Sequence, residues 1–91
     1  MSYIVQFTPS AEKSIRKWKK SRPDLHKKLN EIVVDISLHP RSGTGHPEPL
    51  KGGNDVRWSR RLSASDRIIY DIYDDVVTVL VIQVGGHYED K

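Results

Sequence analysis

Apolar positions change period twice along this chain, and each change marks a new element. Tyr3, Val5 and Phe7 alternate with exposed-type residues, which predicts a short strand from Tyr3 to Thr8. After Thr8-Pro9 the period lengthens: Ala11, Ile15 and Trp18 recur at helical spacing, and the lysines fall largely on the other side. Thr8 suits an N-cap, Pro9 the first helical position and Glu12 the first turn. Ser21-Arg22-Pro23-Asp24 restarts a second helix with the apolar stripe Leu25, Leu29, Ile32, Val33 and Ile36. It stops near His39-Pro40, because a residue before proline is biased away from helix. The two helices form a hairpin with one apolar seam.

Pro40 to Pro49 is a Gly/Pro-rich loop that leads into a short extended piece around Leu50, and Gly52-Gly53-Asn54-Asp55 is a turn. From Val56 to Leu62 the period returns to two. Val56, Trp58 and Leu62 take one face, and Arg57, Ser59 and Arg61 the other. Ser63 to Asp66 turns the chain, Arg67 to Tyr73 is the next strand, and Asp74-Asp75 is read as a tight turn. Val76 to Val84 is a long β-branched run, expected to be the central strand. The order β-α-α-β-β-β predicts one α+β domain over residues 1–91, with a twisted, mainly antiparallel sheet carrying the helical hairpin on one face. The first strand has to pair out of sequence and is expected at the sheet edge.

Composition narrows the function classes. Cysteine is absent, so no disulfide framework or thiolate zinc site is available. No signal-peptide pattern or long apolar run occurs, so a soluble cytoplasmic protein without membrane contact is expected. The net charge of +3 is modest, but its distribution is uneven. Lys13, Arg16, Lys17, Lys19, Lys20, Arg22, Lys27 and Lys28 crowd the N-terminal third; Arg57, Arg60, Arg61 and Arg67 form a second group. Two basic patches fit a nucleic acid or an acidic protein partner.

Phase sorts the arginines. Arg61 shares the free sheet face with Arg57 and Ser59, whereas Arg60 has the core-side phase and is expected at the sheet rim or in an ion pair. Arg67 begins the next strand, so a short turn brings it near Arg61, and two arginines can clamp a phosphate. Taken singly, any one of them is better accounted for by a solvated strand face. Glu48 lies between Pro47 and Pro49, which restrict the backbone and present a carboxylate suited to general-base work. His87 follows Gly85-Gly86 and can transfer a proton in either direction near neutrality. His46, Glu48 and His87 lack the close ligand pair of a metal site, so neither metal nor other cofactor is expected.

Taken together, Gly43-Thr44-Gly45-His46-Pro47-Glu48-Pro49-Leu50-Lys51, Trp58-Ser59-Arg60-Arg61, Arg67-Ile68-Ile69-Tyr70 and His87-Tyr88 resemble the YoeB (Txe/YoeB) toxins of the RelE/ParE superfamily. The resemblance implies a RelE-like fold and a bacterial, ribosome-dependent endoribonuclease that cuts mRNA in the A site. Carried over by motif, Glu48 is the general base and His87 the general acid. Arg67 is the main transition-state cation, helped by Arg61 and Lys51, and Tyr88 orients the scissile nucleotide. Apart from the resemblance, the two basic patches make Arg57 on the sheet and Lys13, Lys17 and Lys20 on the first helix the expected further RNA contacts. The implied partners are the ribosome with its mRNA, a second copy of the chain, and a YefM/Axe-like antitoxin with a disordered C-terminal segment.

Two features depart from the pattern. Glu89-Asp90-Lys91 follow the His-Tyr pair, and Asp66 precedes Arg67, where an Asp66–Arg67 contact is expected to restrain the arginine. Two other readings use the same fold: a gyrase-poisoning binding protein of the ParE kind, and an RNA-binding module without catalysis. The Glu, His and Tyr set favours the nuclease.

Overall fold

The computed structural model describes residues 2–86. Strand β1 (Ile4–Phe7) is followed by helices α1 (Pro9–Ser21) and α2 (Pro23–Leu38), then strands β2 (Glu48–Pro49), β3 (Arg57–Arg61), β4 (Arg67–Tyr73) and β5 (Thr78–Gly85). Thr8 caps α1: its Oγ1 accepts from the Ala11 amide at 3.1 Å and donates to the Ile82 carbonyl at 3.2 Å. One residue, Arg22, separates the helices, and Pro23 starts α2 at a position where its missing N–H is harmless.

The strands form one sheet in the order β1-β5-β4-β3-β2, with β1 parallel to β5 and every other pair antiparallel. The N-terminal strand is at the edge, as its pattern predicts. The central strand is β4 and not the long β-branched run, because β1 adds outside β5 while β3 and β2 extend the other side. Burial agrees: five consecutive β4 residues, Ile68 to Ile72, are buried. The expected tight turn is a single 3-10 turn, Asp74–Val76, followed by Val77 in left-handed backbone at φ 48°. The extended piece near Leu50 is the two-residue β2.

Both helices pack on one face of the sheet. Ala11, Trp18, Leu29, Ile32 and Ile36 meet Trp58, Leu62, Ile68, Tyr70, Ile72, Val79 and Val81 in one core, flanked by Tyr3, Val5 and Phe7. Burying each large apolar side chain is worth about 1.5–3 kcal/mol. Polar straps fasten the loops around this core. Arg41 donates to both carboxylate oxygens of Asp74 at 3.1 and 3.0 Å and pairs with Asp55 at 3.3 Å; Tyr3 donates to Asp74 at 2.6 Å. Among the described residues, no helix is long and apolar enough to cross a membrane.

Candidate active site

The sheet face away from the helices collects the candidate residues through its register. Glu48 pairs with Ser59, and Ser59 with Ile69; Arg61 pairs with Arg67, and Arg67 with Gly85. Residues opposite each other in a ladder share a face, and so do residues two apart on one strand, about 7 Å along it. Glu48, Arg61 and Arg67 therefore occupy one exposed face in two adjoining rows. Glu48 and Arg61 also line a common groove of about 710 Å³ whose other wall is the 43–47 loop. Among the described residues neither Arg61 nor Arg67 has an ion-pair partner.

Local backbone chemistry aims the Glu48 loop. The Arg61 amide donates to the Gly45 carbonyl at 2.6 Å, which draws the loop against β3. Gly45 has φ 82°, and a Cβ there would lie 2.9 Å from the Arg61 carbonyl oxygen, so only glycine fits without displacement. His46, at φ 52°, turns the chain toward Pro47 and Glu48.

The other candidates among the described residues have different settings. Lys51 is exposed beyond β2 and lines a neighbouring groove of about 390 Å³ with Arg57 and Asp71. Arg57 shares the outer face, but its guanidinium donates to Asp71 through Nε at 2.8 Å and Nη2 at 3.0 Å. That pairing offsets the charge it offers an incoming anion. Lys13, Lys17 and Lys20 form, with Arg16 and Lys19, a basic surface on α1, on the helix side of the sheet. His87, Tyr88 and the Glu89-Asp90-Lys91 tail lie outside the described residues. The last described residues run beside Arg67: Gly85 is its register partner, and a Cβ on Gly86 would lie 3.2 Å from the Ser65 carbonyl oxygen.

Two expectations need correction. Asp66 does not restrain Arg67. It is buried and accepts two bonds from Arg22, Nη1 to Oδ1 at 3.2 Å and Nη2 to Oδ2 at 2.8 Å, plus one from the Ser63 hydroxyl at 2.8 Å. The Arg22 bond holds the Asp66 carboxyl below the usual carboxylate range against the upward push of burial. Arg60 is not at the rim. It is fully buried on the helix side and ion-paired to Asp35, so the ion-pair expectation holds and the rim one fails. Burial pushes the Asp35 carboxyl up, but bonds from Arg60 and the Thr44 amide outweigh it and leave it lowered. The core-side phase of Arg60 was the one available signal for this burial. Among the described residues no group of three or more His, Cys, Asp or Glu could hold a metal ion.

Comparison with known proteins identifies the family. The family model for the YoeB-like toxin of bacterial type II toxin–antitoxin systems matches residues 7–88. Toxin YoeB of Streptomyces coelicolor is 33% identical over 84 residues, covering 92% of this chain and 98% of the relative. The mRNA interferase toxin RelE of Escherichia coli K12 is 27% identical over 85 residues, covering 93% and 83%. Among solved structures, a YoeB/ParE toxin from Agrobacterium tumefaciens superimposes with TM-score 0.86 at 30% identity, covering 93% of this chain and 99% of that one. The YoeB chain in a heterotetrameric YoeB–YefM toxin–antitoxin complex from Staphylococcus aureus superimposes with TM-score 0.80 at 25% identity, covering 97% and 100%. The chain therefore belongs to the YoeB-like toxins of bacterial type II toxin–antitoxin systems.

Proposed function

We propose that this toxin is a ribosome-dependent endoribonuclease that cuts mRNA by internal attack of a 2′-hydroxyl on the adjacent phosphorus. The observation that carries the reading is the register that sets the Glu48 carboxylate one row from Arg61 and Arg67 on an exposed face, neither arginine having an ion-pair partner among the described residues. Glu48 removes the 2′-hydroxyl proton as that oxygen bonds to phosphorus. Arg67, with Arg61, offsets the charge growing on the non-bridging oxygens. His87 delivers a proton to the departing 5′-oxygen, and Tyr88 orients the nucleotide. Both follow Gly85-Gly86, which ends beside Arg67. Each proton-transfer group is worth about 10²–10⁴-fold in rate. Lys51 and Arg57 flank the path of the message.

The ribosome supplies what a 91-residue domain lacks. Orienting a flexible strand can contribute roughly 7–11 kcal/mol, and the ribosome already holds the message in a fixed path. The Lys13, Lys17 and Lys20 surface docks on ribosomal RNA while the opposite sheet face meets the message. The relative seen with YefM supports an antitoxin partner here, with an acidic segment folding over the cationic face. A toxin homodimer and a cytoplasmic location belong to the same reading.

The test is single-turnover cleavage of one mRNA, free and in a programmed ribosome, with the new ends sequenced. Fast cleavage only on the ribosome, leaving a 5′-hydroxyl, is expected. A 2′-deoxy nucleotide at the cut must block the reaction. Equal rates on free RNA, or 5′-phosphate products, would refute the proposal.

A further inference from the structure

We infer that Arg60 is a positioning residue for Glu48: its buried guanidinium holds the loop that delivers the carboxylate to the sheet face. The inference rests on the reading of Glu48 as the base. Arginine has five N–H donors, and here all five are used. Nε donates to the Tyr70 hydroxyl at 3.1 Å. Nη1 donates to Asp35 and to the Thr44 carbonyl, the latter at 3.1 Å. Nη2 donates to the carbonyls of His39 and Ser42, the latter at 2.7 Å. Tyr70 donates onward to the Pro40 carbonyl at 2.8 Å.

The loop between α2 and β2 lacks a helix or strand of its own, so its carbonyls need partners from elsewhere. Arg60 and Tyr70 satisfy those of residues 39, 40, 42 and 44. Gly45 is then tied to the Arg61 amide, and Glu48 follows three residues later. A buried ion pair is a poor source of stability, whereas its directional bonds specify one geometry. Adjacent residues of one strand thus act on opposite faces: Arg60 fixes the loop from the core, and Arg61 stands beside the carboxylate in the groove. Lysine, with three donors on a point charge, cannot reproduce the planar fork.

The test compares Arg60→Lys, and Tyr70→Phe as a milder cut to the same network, with wild type on programmed ribosomes. Thermal melting first establishes that each variant folds; if Arg60→Lys does not, Tyr70→Phe carries the same test. The single-turnover rate at saturating ribosome should fall about 10- to 100-fold, as a misplacement of about 1 Å can cause, while KM stays within about threefold. Placed in a Glu48→Gln background, either change should add almost no further loss, because both act through one proton transfer. A wild-type rate in folded variants, or a loss as large in the Glu48→Gln background as in wild type, would overturn the inference. Glu48→Gln alone tests the underlying reading: near-normal cleavage there removes the base role whatever the Arg60 variants do.

Discussion

Arg61 and Arg67 face each other directly across β3 and β4, two like charges on one exposed ladder row. Such a pair destabilises a sheet. Among the described residues neither arginine has an ion-pair partner to relieve the repulsion, and on the proposed function the row gains phosphate binding while stability is lost in exchange.

Arg67→Gln should therefore raise folding stability by a few tenths to about 1 kcal/mol while cleavage falls by at least about 100-fold. Urea denaturation and ribosome-bound cleavage measure the two effects. A loss of stability on removing the charge would show that the pair is not repulsive in the free toxin.

Asp66→Asn should lower the urea midpoint without changing the slope, because it weakens the two-point bond from Arg22 that fastens the β3–β4 turn to the helical hairpin. Arg22 also lies over the Trp18 ring, 5.0 Å from its centroid, so the strap joins turn, helix junction and core.

Acid should unfold the protein in a defined direction. Asp35, Asp66 and Asp74 are each held below their ordinary value by arginine partners. A carboxyl more acidic folded than unfolded stabilises the fold above about pH 4 and loses that contribution as pH falls through its folded value. Chemical-denaturation midpoints should be flat from pH 7 to about 5 and drop below about pH 4, less steeply in Asp66→Asn. Tyr70 acts at the other end: burial raises its hydroxyl, so its contribution is lost as pH climbs past 10. Tyr70→Phe should flatten the alkaline limb.

Gly45→Ala should cost about 1–2 kcal/mol for the left-handed backbone alone, and more for the 2.9 Å approach to the Arg61 carbonyl. The relief open to the chain is to lift the loop off β3, so cleavage should fall further than stability predicts. Val77 makes the opposite case. A β-branched residue at φ 48° and ψ 48° is strained, and Val77→Asn should stabilise by about 1 kcal/mol without altering cleavage. Thermal melts of both variants decide the signs.

Period and punctuation were enough to read the element order, the capped start of α1, the stop at His39 and the edge position of β1. They also separated Arg60 from Arg61, since alternation along a strand is a local property of the backbone. The motif set from Gly43 to Lys51 and onward pointed to the family, and His87 and Tyr88 are legible in that motif alone. What periodicity cannot say is which distant group a side chain meets. Only the pairing of β1 with β5 made β4 the central strand. Only the tertiary structure bound Arg57 to Asp71 and gave Asp66 to Arg22, 44 residues away, instead of to its neighbour. Arg60 shows the division most clearly. Its sequence phase turned it toward the core, but its worth depends on carbonyls at positions 39, 42 and 44, which reach it only after α2 has packed on the sheet.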